Sequence, residues 1–187
     1  MNKLTDLAKL ATEKYIRDGE TINPPKDFPL EYLENKAGVF VTIEKNNELR
    51  GCIGTYLPTK KNIAEEIIDN AILAATEDYR FGTIKKEELS GLSYFVYVLS
   101  APTPVNNIKE LNPKKFGIIV KSQGFSAGSD VLFNVAPKEY IKSGLLLPDL
   151  EGINTIEEQI FIACQKAGIN PKKEKISIFK FTAKKYQ

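Results

Sequence analysis

Two short apolar runs on either side of a polar break set the strongest limit on what this chain can fold into. Gly38-Val39-Phe40-Val41-Thr42-Ile43 and Leu49-Arg50-Gly51-Cys52-Ile53-Gly54-Thr55 flank Asn46-Asn47. Runs of this length read as strands, and Asn tolerates the positive φ of tight turns, so the stretch predicts a β-hairpin. Side chains alternate along a strand, which puts Arg50 and Cys52 on one face and Leu49, Gly51 and Ile53 on the other. A guanidinium beside a thiol favours the thiolate. Gly51 and Gly54 remove side chains where a ligand or another backbone could approach. The same residues also read as a half-buried strand with a small apolar Cys and a solvated Arg.

Around the hairpin the pattern is mixed. Leu4, Leu7, Ala8, Ala11 and Tyr15 share one face of a helix predicted over residues 3–17, stopped by Asp18-Gly19. Pro24, Pro25 and Pro29 make residues 20–35 a surface loop, with room for a helical turn at Leu30–Leu33. Asn62 with Glu65 resembles a capping box, opening a helix whose stripe is Ile63, Ile67, Ala71, Ala74 and Ala75, with Glu65, Glu66, Asp69 and Asn70 off it. Asp78-Tyr79-Arg80-Phe81 leaves that helix, its Asp and Arg spaced to orient a ligand or each other.

Leu92–Leu99 is a nearly unbroken apolar run, read as a strand buried on both faces. Gly117–Lys121 and Val131–Phe133 read as strands around a Gly/Ser-rich turn at 123–130. Residues 134–144 connect to a short strand, Leu145–Leu147, ended by Pro148. Thr155 and Glu158 form a second capping box, opening a helix to Ala167 with Gly168 as its stop and Cys164 on its apolar face. Lys175–Phe181 closes the chain as a strand whose lysines suit an exposed edge. Strands and helices alternate without a βαβ rhythm. The expected class is α+β, a mainly antiparallel sheet packed with three principal helices. One domain spans 1–187, with room for a smaller β lobe over 92–134.

Composition narrows the chemistry. The 187 residues contain no histidine, which excludes imidazole-based triads, Cys-His mechanisms and histidine-bound zinc. Cys52 and Cys164 lie too far apart for a CxxC motif, and two cysteines make no disulfide framework at this size, so a reducing cytoplasm is expected. There is no Walker motif, GxGxxG or EF-hand loop, which leaves carboxylate-held Mg²⁺ or Ca²⁺ open and the cofactor unknown. A net charge of +2 gives no bulk electrostatic reason to bind nucleic acid or anionic membrane. No apolar run reaches the roughly 18 residues of a membrane span, and no secretion signal is evident.

Leu49-Arg50-Gly51-Cys52-Ile53-Gly54 resembles the signature hexapeptide of the AMMECR domain family. The likeness continues through Asn70–Ala75, Asp78-Tyr79-Arg80-Phe81, Lys86–Leu89, Gly144–Pro148 and Lys166–Ile169, covering the chain from about residue 36 onward. Tyr79 stands where the family commonly has Pro, Asp149-Leu150 replaces Gln-Val, and the 134–144 connection is longer than usual. The resemblance implies a compact α+β fold of its own type, no firmly established activity, and a pathway shared with Memo-like and radical-SAM-like proteins. It also favours a site role for Asp78 and Arg80.

Three functions follow as expectations. The first is an enzyme with Cys52, Arg50, Asp78 and Glu88 as catalytic residues, acting on a small anionic substrate. There the cations activate the thiolate, Asp78, Glu88 or Tyr56 moves the proton, and Arg80, Gly51, Gly54, Thr55 and Tyr56 line the substrate. The second is a non-catalytic binding or assembly module for a metabolite or protein partner. The third, a nucleic-acid-associated factor, is opposed by the +2 charge and the lack of Trp.

Overall fold

A computed structural model describes residues 2–122 and 142–187, so the expected turn at 123–130, the strand at 131–133 and most of the 134–144 connection lie outside the described residues. The chain forms two compact units, residues 1–101 with 184–187, and residues 102–183.

In the first unit, α1 (Lys3–Asp18) begins at Asn2, whose side chain accepts from the Leu4 N–H, and stops at Gly19 with φ 71°. A short α2 (Leu30–Glu34) follows the proline-rich loop. The hairpin forms as expected from β1 (Val39–Lys45) and β2 (Glu48–Thr55), with Asn46 and Asn47 at φ 55° and 63°. Asn62 caps α3 (Ile63–Thr76) by accepting from the Glu65 N–H. A 3₁₀ turn at Lys86–Gly91 leads into β3 (Leu92–Leu99).

The second unit holds β4 (Thr103–Pro104), β5 (Gly117–Ser122), β6 (Ser143–Leu146), α4 (Ile156–Lys166) and β7 (Ile176–Phe181). The chain then enters β8 (Ala183–Tyr186), which joins the first unit's sheet. The two antiparallel sheets run β2-β1-β3-β8 and β4-β7-β5-β6, giving the α+β class.

Each unit has its own core. In the first, Val39, Val41, Ile43, Tyr94 and Val96 of the sheet pack with Leu4, Leu7, Ala8 and Ala11 of α1 and Ile67, Ala71 and Ala74 of α3. In the second, Ile118, Val120 and Leu146 pack with Ala163 and Cys164, the latter buried as its helical position requires. Three details depart from expectation. Alternate residues of β3, including Phe95 and Tyr97, are only half-buried, so the strand has one buried face rather than two. β7 lies between β4 and β5 instead of at an edge. β8 carries no apolar run that would announce a strand, and only its pairing in the sheet defines it. Among the described residues, no helix is long and apolar enough to cross a membrane.

Candidate functional site

The site is built on β2, and Gly51 sets its orientation. A Cβ placed on Gly51 would stand 2.2 Å from the Ala74 carbonyl oxygen, so the backbone of α3 occupies the space a side chain would need. Gly51 therefore faces the helix, and by alternation Arg50 and Cys52 face away from it. Gly54 shares their face, where a Cβ would lie 2.2 Å from Phe40 Cγ, because the Phe40 ring takes that space.

Beyond α3 the chain turns back to the strand. The Phe81 and Gly82 N–H groups both donate to the Asp78 carbonyl, Gly82 adopts φ 70°, and the Ile84 N–H donates to the Ala75 carbonyl. The Asp78 side chain, 4% exposed, fastens this turn to β2: its Oδ2 accepts from the Cys52 N–H at 2.8 Å and from an Arg80 Nη at 2.7 Å, while Oδ1 accepts from Arg80 Nε at 2.9 Å. The Arg80 donors, outweighing burial and helped by the Cys52 and Arg80 N–H groups, hold the Asp78 carboxyl down at about 2.

Glu88 forms a second fastening. It receives both arms of the Arg50 guanidinium at 3.0 and 3.1 Å, Lys45 Nζ at 3.1 Å and the Lys85 N–H at 2.9 Å. Arg50, followed by the Lys85 N–H, holds the Glu88 carboxyl at about 2. Arg50 also donates to the Gly82 and Thr83 carbonyls, tying the end of the same turn to the strand. Both carboxylates expected to move protons are thus ionised and engaged by cations near neutral pH.

Arg50, Cys52, Asp78, Arg80 and Glu88 all meet at β2. Cys52 is half-buried, and its Sγ accepts from the Thr42 hydroxyl at 3.3 Å. The Arg80 guanidinium, 45% exposed on its side chain, lies over the Phe81 ring at 5.2 Å; its pKa is raised above the ordinary value, chiefly by the Asp78 hydrogen bond, with Cys52 a smaller contributor. Tyr97 is a further neighbour: burial first, then Cys52 and Glu44, push its phenol above the ordinary value, so it stays protonated. Thr55 turns its hydroxyl to Glu66, and Tyr56 follows, half-buried, at the strand's end. Among the described residues, no group of three or more Cys, Asp or Glu is placed to hold a metal ion.

Sequence reasoning missed Glu66. Expected off the apolar stripe, it is 1% exposed, and Asn70 one turn later is buried too, donating to the Val39 carbonyl at 3.2 Å. Glu66 accepts from the Thr55 hydroxyl at 2.6 Å, the Thr59 hydroxyl at 2.9 Å, and the Thr59 and Lys60 N–H groups, both at 2.8 Å. Burial alone would raise its pKa, but these hydrogen bonds outweigh it and leave the carboxyl below its ordinary value. The available signal was a Glu65-Glu66 pair set among Ile63, Ala64, Ile67 and Ile68, with Thr55 and Thr59 just upstream. Thr42 and Tyr97 had no local signal, since only strand pairing brings them near Cys52.

Two antiparallel sheets, helices on the first sheet's buried face and a Cys-bearing hairpin fastened by two carboxylates define a protein of the α+β class. The chain belongs to the AMMECR1 family, whose model matches residues 5–186. It is 46% identical over 176 residues to a Thermotoga maritima protein, covering 94% of this chain and 91% of that one. A Clostridium acetobutylicum relative is 42% identical over 88% of this chain, which spans only 31% of that longer protein. The crystal structure of an uncharacterised Pyrococcus horikoshii protein superposes with a TM-score of 0.82 at 34% identity, covering 97% of this chain and 88% of that one. No specific biochemical function is established for the family.

Proposed function

We propose that the β2 face is a cysteine-centred site for a small anionic substrate, with the Cys52 thiolate as the reacting group. One observation carries this reading: the buried Asp78 carboxylate grips the Cys52 N–H and the Arg80 guanidinium together, which keeps a cation beside the thiol. A neighbouring guanidinium favours the thiolate, and the Thr42 hydroxyl gives the sulfur a donor. The exposed edge of Arg80 meets the substrate's negative group. Asp78 and Glu88 serve as ionised anchors, Glu88 through Arg50, and the proton comes from a phenol, Tyr56 or Tyr97. Gly51, Gly54 and Thr55 act one step back from the substrate: Gly51 seats the strand on α3, Gly54 makes room for Phe40, and Thr55 joins β2 to Glu66. Work alongside Memo-like and radical-SAM-like proteins belongs to this reading and rests on the family resemblance alone.

A binding or assembly module is the second reading. It is favoured by the engagement of both nearby carboxylates, which leaves neither free to carry protons. Cys52→Ser separates the two. An enzyme keeps ligand binding and loses turnover, because the hydroxyl preserves shape without ionising at accessible pH. A module shows no effect of Cys52→Ser, while Arg80→Ala weakens capture of anionic ligands. The assay is a metabolite screen with the wild type and both variants. Unchanged capture and turnover in both variants would move the functional surface elsewhere.

A further inference from the structure

Resting on the reading of Cys52 as a substrate site, we propose that the aromatic residues beside it bind a planar ring of the substrate, with Lys185 taking an anionic group on that ring, apart from the negative group that Arg80 meets. The substrate class would then be a ring bearing a phosphate or carboxylate. Strand register gives the arrangement. Thr42 pairs with Cys52 on one side and Phe95 on the other, while Phe40 pairs with Gly54 and Tyr97. Alternate residues share a face, so Phe40, Phe95 and Tyr97 lie on the same side of the sheet as Cys52. The missing side chain of Gly54 lets the Phe40 ring lie across β2, close to the thiol's row.

Lys185 supplies the charge. Its Nζ stands 4.5 Å from the Phe95 ring centroid and 5.9 Å from that of Tyr97. Arg50, Arg80 and Lys45 each pair with a carboxylate, but among the described residues Lys185 has none within ion-pair distance. An exposed ammonium over two ring faces, with no counter-charge, suits a ligand that stacks on the rings and brings its own anion. Glu44 also acts on Tyr97, so the face is not uniformly cationic. Neighbouring strands lie about 4.8 Å apart, so a ring on Phe95 sits about 10 Å from the Cys52 backbone, within reach of a short side arm.

Phenyl phosphate is the probe, with inorganic phosphate beside it, and the readouts are Cys52 alkylation by iodoacetamide and saturation transfer to the phenyl protons. Phenyl phosphate is expected to slow alkylation and receive saturation, while inorganic phosphate at the same concentration leaves the rate within about twofold. Lys185→Gln and Phe95→Leu should each raise the concentration needed for protection about tenfold, the loss of one charge pair or one stacking surface. Equal protection by both ions overturns the ring site and leaves the Cys52 reading standing. Slow alkylation without any probe contradicts the Cys52 reading, and saturation transfer then decides the ring site alone. No transfer to the phenyl protons, or transfer unchanged in both variants, overturns it.

Discussion

At the scale of single residues, Gly51 and Cys52 divide the work of one strand. Gly51 has no room for a Cβ against the Ala74 carbonyl. Gly51→Ala should therefore cost about 1–3 kcal/mol, the usual penalty for overpacking a fixed contact, read as a lower urea midpoint. An unchanged midpoint would mean that α3 yields at no cost. Cys52 is half-buried, and Cys164 is 1% exposed in the second unit's core. Cys52→Ser should cost about 1 kcal/mol or less, while Cys164→Asp should cost several kcal/mol or prevent folding by burying an unpaired carboxylate. The reverse order would exchange site and core. The burial of the two thiols was legible because alternation in a strand and periodicity in a helix fix which way a side chain points. The precise use of Gly51, helix backbone rather than ligand, was not legible, because both demand the same missing Cβ.

At the scale of elements, the turn after α3 is tied to β2 by Asp78 and Glu88. Both hold folded values of about 2, below their ordinary 3.8 and 4.5. A depressed carboxylate stabilises the fold above its unfolded pKa and loses that contribution as pH falls through the folded one. The melting temperature should accordingly fall between about pH 4.5 and pH 2, and Asp78→Asn with Glu88→Gln should flatten that part of the profile. An identical slope in the double variant would show that these ties do not govern acid stability. Glu66 works between elements as well, joining the end of β2 and the Thr59-Lys60 backbone to α3. Glu66→Ala leaves four donors without their acceptor and should cost about 3 kcal/mol in chemical denaturation. Helix starts were readable from Asn62 and Thr155, whose caps form as local sequence dictates. Glu66 was not readable, because its burial depends on where a loop and a strand end are brought by the fold.

At the scale of the whole molecule, the α+β class and antiparallel pairing follow from irregularly spaced strands joined by tight turns. The boundaries of the two compact units have no matching signal: Pro102 and Pro104 mark only the end of a strand, and β8 joins its sheet from the far end of the sequence. Such pairing leaves no local trace, and it also brings Lys185 to Phe95 and Tyr97. Arg50, Cys52, Asp78, Arg80 and Glu88 were legible as motif residues, whereas their meeting at β2 depends on how the fold brings the turn after α3 back to the strand. The central claim is that Asp78 holds Arg80 beside Cys52 so that the thiol reacts as a thiolate. Its most direct test is the rate of iodoacetamide modification of each cysteine in the native protein, followed by mass spectrometry, in the wild type and in Arg80→Gln. Cys52 should be modified well before Cys164, and Arg80→Gln should slow Cys52 several-fold while the protein stays folded. Equal protection of both thiols, or a Cys52 rate indifferent to Arg80→Gln, would contradict it.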